Sequence, residues 1–374
     1  MAAEAPEQQL FNAARDGNME AVEALIVDRV PLDTIHPLHR VTPFVIAVRN
    51  GHFDIARRLA EAGADVNNSN RTTKRTLLIS IVRNESVEKL QQFLELPGVN
   101  PNVPDDDGDT PLIHAVTIEN LEKVRLLLTA HADPNIKGEH GSTALQASIL
   151  HGRQFDIFMA LLNAGADPNI PGGFNTPVIL DALTNVETED GLRFAKELMR
   201  RGANINGVEF DGHPLFHSIV AFTEVPSIRF AIDHGANVNE ADEEGIVPLL
   251  VAIEEEKPDA FKVLLRAGAR ITPRIRAAVE EADGDFARSL ADYEKLEQAI
   301  YTEPLPMGTR ANNVLANWNR GENINAIIAN LNARRRANVG NTSAASASGS
   351  RGGKRKRGTK RHRAAKRRST CRRK

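Results

Sequence analysis

A six-residue phrase governs this sequence. "AGADVN" occupies 62–67 and returns as "AGADPN" at 164–169, "RGANIN" at 201–206 and "HGANVN" at 234–239. With its glycine as a ruler, the marks fall at Gly63, Gly98, His131, Gly165, Gly202, Gly235 and Gly268, at intervals of 35, 33, 34, 37, 33 and 33 residues. Arg29, 34 residues before Gly63, is a degenerate first mark. A fixed period of this length signals an array in which each unit is one supersecondary element. Glycine suits the left-handed residue that ends a helix.

A second ruler runs in phase: Thr42-Pro43, Thr110-Pro111, Thr143-Ala144, Thr176-Pro177, His213-Pro214 and Val247-Pro248. Threonine is a good N-cap and proline suits the first helical position, so each pair is expected to open a helix. Between the rulers, as in "TPLIHAVTIENLEKVRLLLTAHADPN" (110–135), apolar residues recur at helical spacing, with a break at Glu119-Asn120. Each unit therefore reads as helix, turn, helix, tight turn, extended loop. Helices this short are not stable alone in water, so each unit must bury its apolar faces on its neighbours.

"TPFVIAVRNGHFDIARRLAEAGADVN", 42–67, resembles an ankyrin repeat, with its Thr-Pro start, mid-unit Gly-His and closing Gly-Ala-Asp-Val-Asn. The resemblance covers about 10–300, roughly eight units. It implies an all-α solenoid of stacked helix-turn-helix units with hairpin loops projecting to one side, and a protein-interaction scaffold rather than an enzyme. The histidine usual in the family's opening motif is replaced by Val45, Ile113, Gln146, Ile179, Phe216 and Leu250, so the polar network between loops should be weak. Unit three, "RTLLISIVRNESVEKLQQFLELPGVNPN", lacks both Thr-Pro and Gly-His and is expected to be a soft point. Insertions near 185–190 and 207–211 lengthen one interval to 37.

The expected organisation is a capped repeat array over 8–300, a helical appendage over 301–337 with short helices near Val314–Trp318 and Ile324–Leu331, and a disordered basic tail over 338–374. Aromatic residues are only 5% of the chain, so the core should be Ala, Leu, Ile and Val. No run approaches the 18 or so apolar residues of a membrane helix, and the N-terminus lacks the pattern of a signal peptide, so no membrane role is expected. One cysteine, Cys371, permits no internal disulfide or cysteine-based zinc site. A monomer is expected.

The formal net charge of −2 conceals a division: no acid follows Glu322, while 334–374 carry 17 Lys and Arg, leaving the rest of the chain strongly acidic. In the tail, Lys354, Arg355, Lys356 and Arg357 precede Lys366, Arg367 and Arg368 by about ten residues. That spacing resembles a bipartite nuclear import signal, read by an import receptor. The same charges could bind nucleic acid through phosphates, without base stacking because no aromatic interleaves, or serve solubility or contact with the repeats. The expected location is nucleus or cytoplasm. Basic-tailed ankyrin chains of this kind are similar to some of large DNA viruses and of some eukaryotes, so a viral protein in a host cell fits too. "LPMGTRANNVLANW" is loosely comparable to the F-box-like segment of some viral ankyrin proteins, which makes a ubiquitin-ligase adaptor through 303–337 an alternative to a packing extension.

No catalytic set, cofactor motif or metal site emerges. "DDDGD" (105–109) lacks the spaced acids of a calcium loop. The pairs His36/His39 and His213/His217 have no carboxylate or cysteine recurring with them. Ankyrin resemblance directs attention to loop tips and first helices: Asp106, Asp107 and Asp109 in unit four, Glu139 and His140 in five, Glu209 and Asp211 in seven, Glu243 and Glu244 in eight, with Glu254 and Glu255 at a first-helix end. Early units are basic there, at Arg40, Arg49, Arg71, Lys74 and Arg83. The acids form either a merely solvated face or a trough that steers a cationic protein partner.

Overall fold

The structure is a computed structural model describing residues 4–346 apart from 68, 71–74, 151–153, 185, 187–191, 283 and 302–323. The chain divides into two compact units, Met1–Ala291 and Asp292–Lys374. The first is built of helical hairpins: α1 (Pro6–Asp16) with α2 (Met19–Val27), α3 (Pro43–Asn50) with α4 (Phe53–Glu61), α5 (Leu77–Asn84) with α6 (Val87–Leu94), and α7 (Pro111–Thr117) with α8 (Leu121–Thr129). Then come α9 (Ala144–Leu150) with α10 (Phe155–Asn163), α11 (Val178–Leu183) with α12 (Arg193–Arg200), α13 (Leu215–Phe222) with α14 (Val225–Asp233), and α15 (Pro248–Glu254) with α16 (Pro258–Arg266). A last pair, α17 (Pro273–Glu281) and α18 (Gly284–Tyr301), runs to the unit boundary, which falls inside α18. The only sheets among the described residues are two small antiparallel ladders, β1 (Ser69–Asn70) with β2 (Arg75–Thr76) and β3 (Glu209–Phe210) with β4 (His213–Pro214). The all-α repeat solenoid is therefore the observed fold.

Both rulers have a structural cause. Every mark of the first is left-handed, the glycines at φ between 79° and 97° and the two non-glycine marks, Arg29 and His131, at 55° and 64°. Of the second, Thr42, Thr110 and Thr143 accept the N–H three residues on, at 3.3 Å each. Thr76 does the same for Ile79 at 3.2 Å, so unit three is capped although it lacks Thr-Pro. Helices α11, α13 and α15 begin without a side-chain cap.

The expected weakness between loops is corrected by a ladder of asparagines at the end of the repeated phrase. Asn67 donates Nδ2 to the Gly98 carbonyl (2.8 Å) and accepts the Asn100 N–H (2.9 Å). Asn102, Asn135, Asn169, Asn206 and Asn239 repeat both bonds to the carbonyls of His131, Gly165, Gly202, Gly235 and Gly268 and to the N–H two residues beyond each. The left-handed residue turns its carbonyl toward the preceding unit's amide, so one feature ends a helix and fixes register.

A second set of links occupies the open carbonyl ends of the first helices, where a cation is favoured. Lys123 Nζ reaches the carbonyls of Val82 (2.6 Å) and Glu85 (2.7 Å), and Lys257 Nζ those of Val220, Ala221 and Thr223. Burial lowers the Lys123 pKa and the charge of Glu85 offsets part of that.

The core also differs from expectation: Phe11, Phe44, Phe93, Phe158, Phe194, Phe216 and Phe261 are among the largest fully buried side chains. Several of them meet across junctions between units. Phe44 and Phe93 meet at 6.2 Å between units two and three, Phe158 and Phe194 at 4.9 Å between units five and six, and Phe261 and Phe286 at 5.3 Å at the array's end. Each ring brings a large apolar area into the core, so a few phenylalanines weigh heavily there despite their small number.

The second unit contains the end of α18 and α19 (Ile324–Ser346), on which Ile324, Ile327 and Leu331 are buried. Arg335 Nη2 donates to the Ala299 carbonyl at 2.8 Å. Helix α19 runs nine residues past the boundary expected at 337. The helix expected near Val314–Trp318 lies outside the described residues, as does the tail from 347 with both basic clusters.

Candidate functional site

Four loop tips share one closure. In 105–109, 138–142, 172–176 and 242–246 the first N–H bonds the fifth carbonyl, and the fourth N–H bonds the first carbonyl. The fourth residue is left-handed in all four: Gly108, Gly141, Asn175 and Gly245. What differs is the first residue.

Where it is aspartate, its carboxylate pins the loop from within. Asp105 Oδ1 accepts the N–H groups of Asp107 (3.2 Å) and Asp109 (2.9 Å), and Oδ2 accepts His114 Nε2 (2.8 Å). Arg83 lies 3.0 Å from the other nitrogen of His114. Asp242 likewise accepts from Glu244 and Ile246, and from His213 Nδ1 at 3.0 Å. Burial alone would raise its pKa; the N–H of Ile246 and the other donors outweigh that and hold it below the usual carboxylate range. In the first unit a histidine takes the same part: His36 Nδ1 accepts the N–H groups of Leu38 and His39. His36 and His39 both stack on Phe11, and His217 Nε2 bonds the Ile246 carbonyl, so these histidines are framework. Among the described residues no group of three or more His, Cys, Asp or Glu is placed to hold a metal.

Where the first residue is glycine, neighbours pin the loop from outside. Asp109 Oδ1 accepts the Glu139 N–H at 2.9 Å, and Gln146 Oε1 accepts the Gly173 N–H at 2.7 Å. A Cβ on Gly138 would lie 2.1 Å from Asp109 Oδ1, and one on Gly172 1.6 Å from Gln146 Oε1, so a side chain at either place would displace the acceptor that pins the loop. Gln146 also donates to Asp181 Oδ2 at 2.6 Å; burial raises the Asp181 pKa to about 6, the amide opposing it. Without an inner carboxylate, the third residue rotates into the left-handed region: His140 at φ 56° and Phe174 at 54°. Such a conformation is a true outlier for a bulky side chain. The two rings lie nearly parallel at 6.2 Å, and Phe174 is 87% exposed.

Of the acids expected to meet a partner, Asp106, Asp107, Glu139, Glu209, Asp211, Glu243, Glu244, Glu254 and Glu255 are exposed, as is His140. Asp109 is a correction: half-buried and bonded to Glu139, it serves the framework because the adjacent glycine loop needs an acceptor. Glu209 and Asp211 sit on the β3–β4 hairpin, whose Asp211-Gly212 turn has φ of 56° and 80°, the left-handed pair of a two-residue hairpin. Of the basic positions in early units, Arg40, Arg49 and Arg83 are exposed, while Arg71 and Lys74 lie outside the described residues.

Two features escaped sequence reasoning. One is Phe174; the signal available was a large aromatic between Gly172-Gly173 and Asn175, where other copies carry polar residues. The other is a cavity of about 110 Å³ at the same loop, lined by three prolines (Pro168, Pro171 and Pro177), Ile179 and Val208 and by the polar residues Asn169, Asn175, Asn204 and Glu209.

A family model of ankyrin repeats (3 copies) matches residues 6–70 and 77–171. Human ankyrin repeat and SOCS box protein 6 is 31% identical over 147 residues, 37% of this chain and 35% of that protein. Mouse B-cell lymphoma 3 protein homolog is 29% identical over 198 residues, 52% of this chain and 44% of that protein. Human 2-5A-dependent ribonuclease is 39% identical over 77 residues, 20% of this chain and 10% of that protein. The chain thus spans less than half the length of these relatives. A solved structure of a predatory endopeptidase of Bdellovibrio bacteriovorus in complex with an immunity protein aligns at a TM-score of 0.44 and 23% identity, over 53% of this chain and 98% of that one, too loosely to add weight. The recurring left-handed turn and the hairpins it closes are ankyrin repeats, which the family model matches over residues 6–70 and 77–171.

Proposed function

We propose that this protein is a non-enzymatic scaffold that binds a cationic protein partner along its repeat loops and reaches the nucleus through its basic tail. Ankyrin repeats serve protein–protein interaction; the sign of the partner's charge is the finer step. The observation that carries it is a division of labour among carboxylates. Asp105, Asp109 and Asp242 are consumed by loop hydrogen bonds, whereas Asp106, Asp107, Glu139, Glu209, Asp211, Glu243 and Glu244 stand exposed on the projecting loops. Aligned like charges add their fields and raise the encounter rate of an oppositely charged partner.

The test is the affinity of the full chain for a basic peptide as a function of salt, with those seven acids changed to Asn or Gln. A salt dependence that persists unchanged in the neutralised variant removes the loops from the binding surface. Import is tested by imaging a variant with Lys354–Arg357 and Lys366–Arg368 changed to alanine; unaltered distribution overturns it. A rival in which the tail binds nucleic acid is separated by salt titration of DNA binding with and without residues 339–374.

One relative's name favours a second reading. A SOCS box is named in the human protein 31% identical to this chain, which supports an adaptor role with residues 303–337 as the recruiting segment. Copurification of ubiquitin-ligase subunits that survives deletion of 303–337 refutes that assignment.

A further inference from the structure

We propose that the loop at 171–177 and the cavity beneath it form an anchor for a single arginine side chain of a linear peptide. The inference deepens the reading of the loops as a partner-binding edge and rests on it. The cavity's lining is mixed, apolar at Pro168, Pro171, Pro177, Ile179 and Val208 and polar at Asn169, Asn175 and Asn204, and a volume of about 110 Å³ admits a slender aliphatic stem. Glu209, exposed and among the lining residues, supplies a carboxylate to a head group at the mouth. That is the chemistry of an amphipathic cation: stem against apolar surface, charge toward solvent and acid.

The loop over the cavity carries the second half of the site. Phe174 is 87% exposed and backed by the His140 ring at 6.2 Å, so its outer face is open to a planar cation. Stacking on an aromatic face favours a guanidinium over an ammonium. Charge on the three loops agrees: Glu139, Glu209 and Asp211 are exposed, against Lys137 and the imidazoles of His140 and His213. His213 is already engaged by Asp242.

The backbone supports a binding role over a packing one. Phe174 and Asn175 are consecutive non-glycine residues at φ 54° and 59°, and the strain secures no burial for the ring. Strain held without packing return is a mark of functional positions.

The experiment titrates the full chain into fluorescein-labelled nona-arginine and nona-lysine peptides, following anisotropy at fixed salt, with variants Phe174→Gly, Phe174→Leu, Glu209→Gln and, as a control pair of exposed acids on α17 outside the loops, Glu280→Gln/Glu281→Gln. The anchor predicts at least threefold preference for nona-arginine and a loss of about fivefold in F174L and E209Q. The control pair should lose less than twofold. In F174G binding should fall as in F174L while the melting temperature rises by about 2 °C, because glycine relieves the left-handed strain. Equal losses in the control pair and in E209Q, with no arginine preference, overturn the anchor and leave only unspecific charge attraction. Wild-type protein that binds neither peptide overturns the edge and the anchor together.

Discussion

The aspartate-started loops at 105–109 and 242–246 and the glycine-started loops at 138–142 and 172–176 have the same closing hydrogen bonds and opposite supports. In the first kind a buried carboxylate belongs to the loop itself, and the third residue stays in ordinary backbone space. In the second the loop gives up its own carboxylate, borrows Asp109 or Gln146 from the preceding unit, and holds His140 or Phe174 in the left-handed region. Self-supported loops can vary at their tips without loss of shape. Loops supported from outside bind their tip geometry to a neighbour, which suits a surface whose side chains must keep fixed spacing.

The comparison is broken most severely at its buried carboxylate. Asp105→Ala strands two N–H groups and His114, and is expected to cost about 3 kcal/mol in denaturant unfolding; Asp242→Ala, whose imidazole partner His213 is half exposed, should cost about half that. Next is Gly172→Ala, which forces Gln146 off the Gly173 N–H, at about 2 kcal/mol. Because the clash and the lost bond involve one amide, Gln146→Ala combined with it should cost clearly less than the two changes added.

Smaller effects sharpen the contrast. Burial raises the Asp181 pKa to about 6, above the ordinary carboxylate value of 3.8, so folding favours its protonated form. Its stabilising contribution is complete below the unfolded pKa and disappears as pH rises through 6. Between pH 7.5 and pH 5 it should therefore add about 1–1.5 kcal/mol to the wild type, a gain missing in Asp181→Asn when the two profiles are subtracted. Smallest is Asn175→Gly, at the one non-glycine fourth position of the four loops. Thermal melts should show a gain of about 0.5–1 kcal/mol from relieved strain.

Much of the fold was legible because backbone necessity leaves chemical marks. A left-handed helix end writes glycine at a fixed period, and even His131 and Arg29, found by counting alone, take that conformation. Thr42, Thr110 and Thr143 announced helix starts for the same reason. The asparagine ladder was visible as a letter and invisible as a bond, since its partner lies one unit away and a period does not say which atoms meet. The phenylalanine core was misjudged from abundance, which ignores that a few large rings, such as Phe158 against Phe194, fill much of the space where units meet. At the candidate site, the exposed acids were legible as charge. Phe174 and its cavity were not, because they depend on a rotated backbone and on prolines from more than one unit.

The asparagine rungs have a consequence for how such an array can change over time. The rung from Asn169 spans the longest interval, 37 residues from Gly165 to Gly202, yet its bonds of 3.0 and 2.8 Å match those across intervals of 33. Alignment is thus kept by a local handshake between neighbouring turns, indifferent to the contour length between them. Segments such as 184–192 are free to grow or shrink and acquire new surface while the register of every later unit stays where it was.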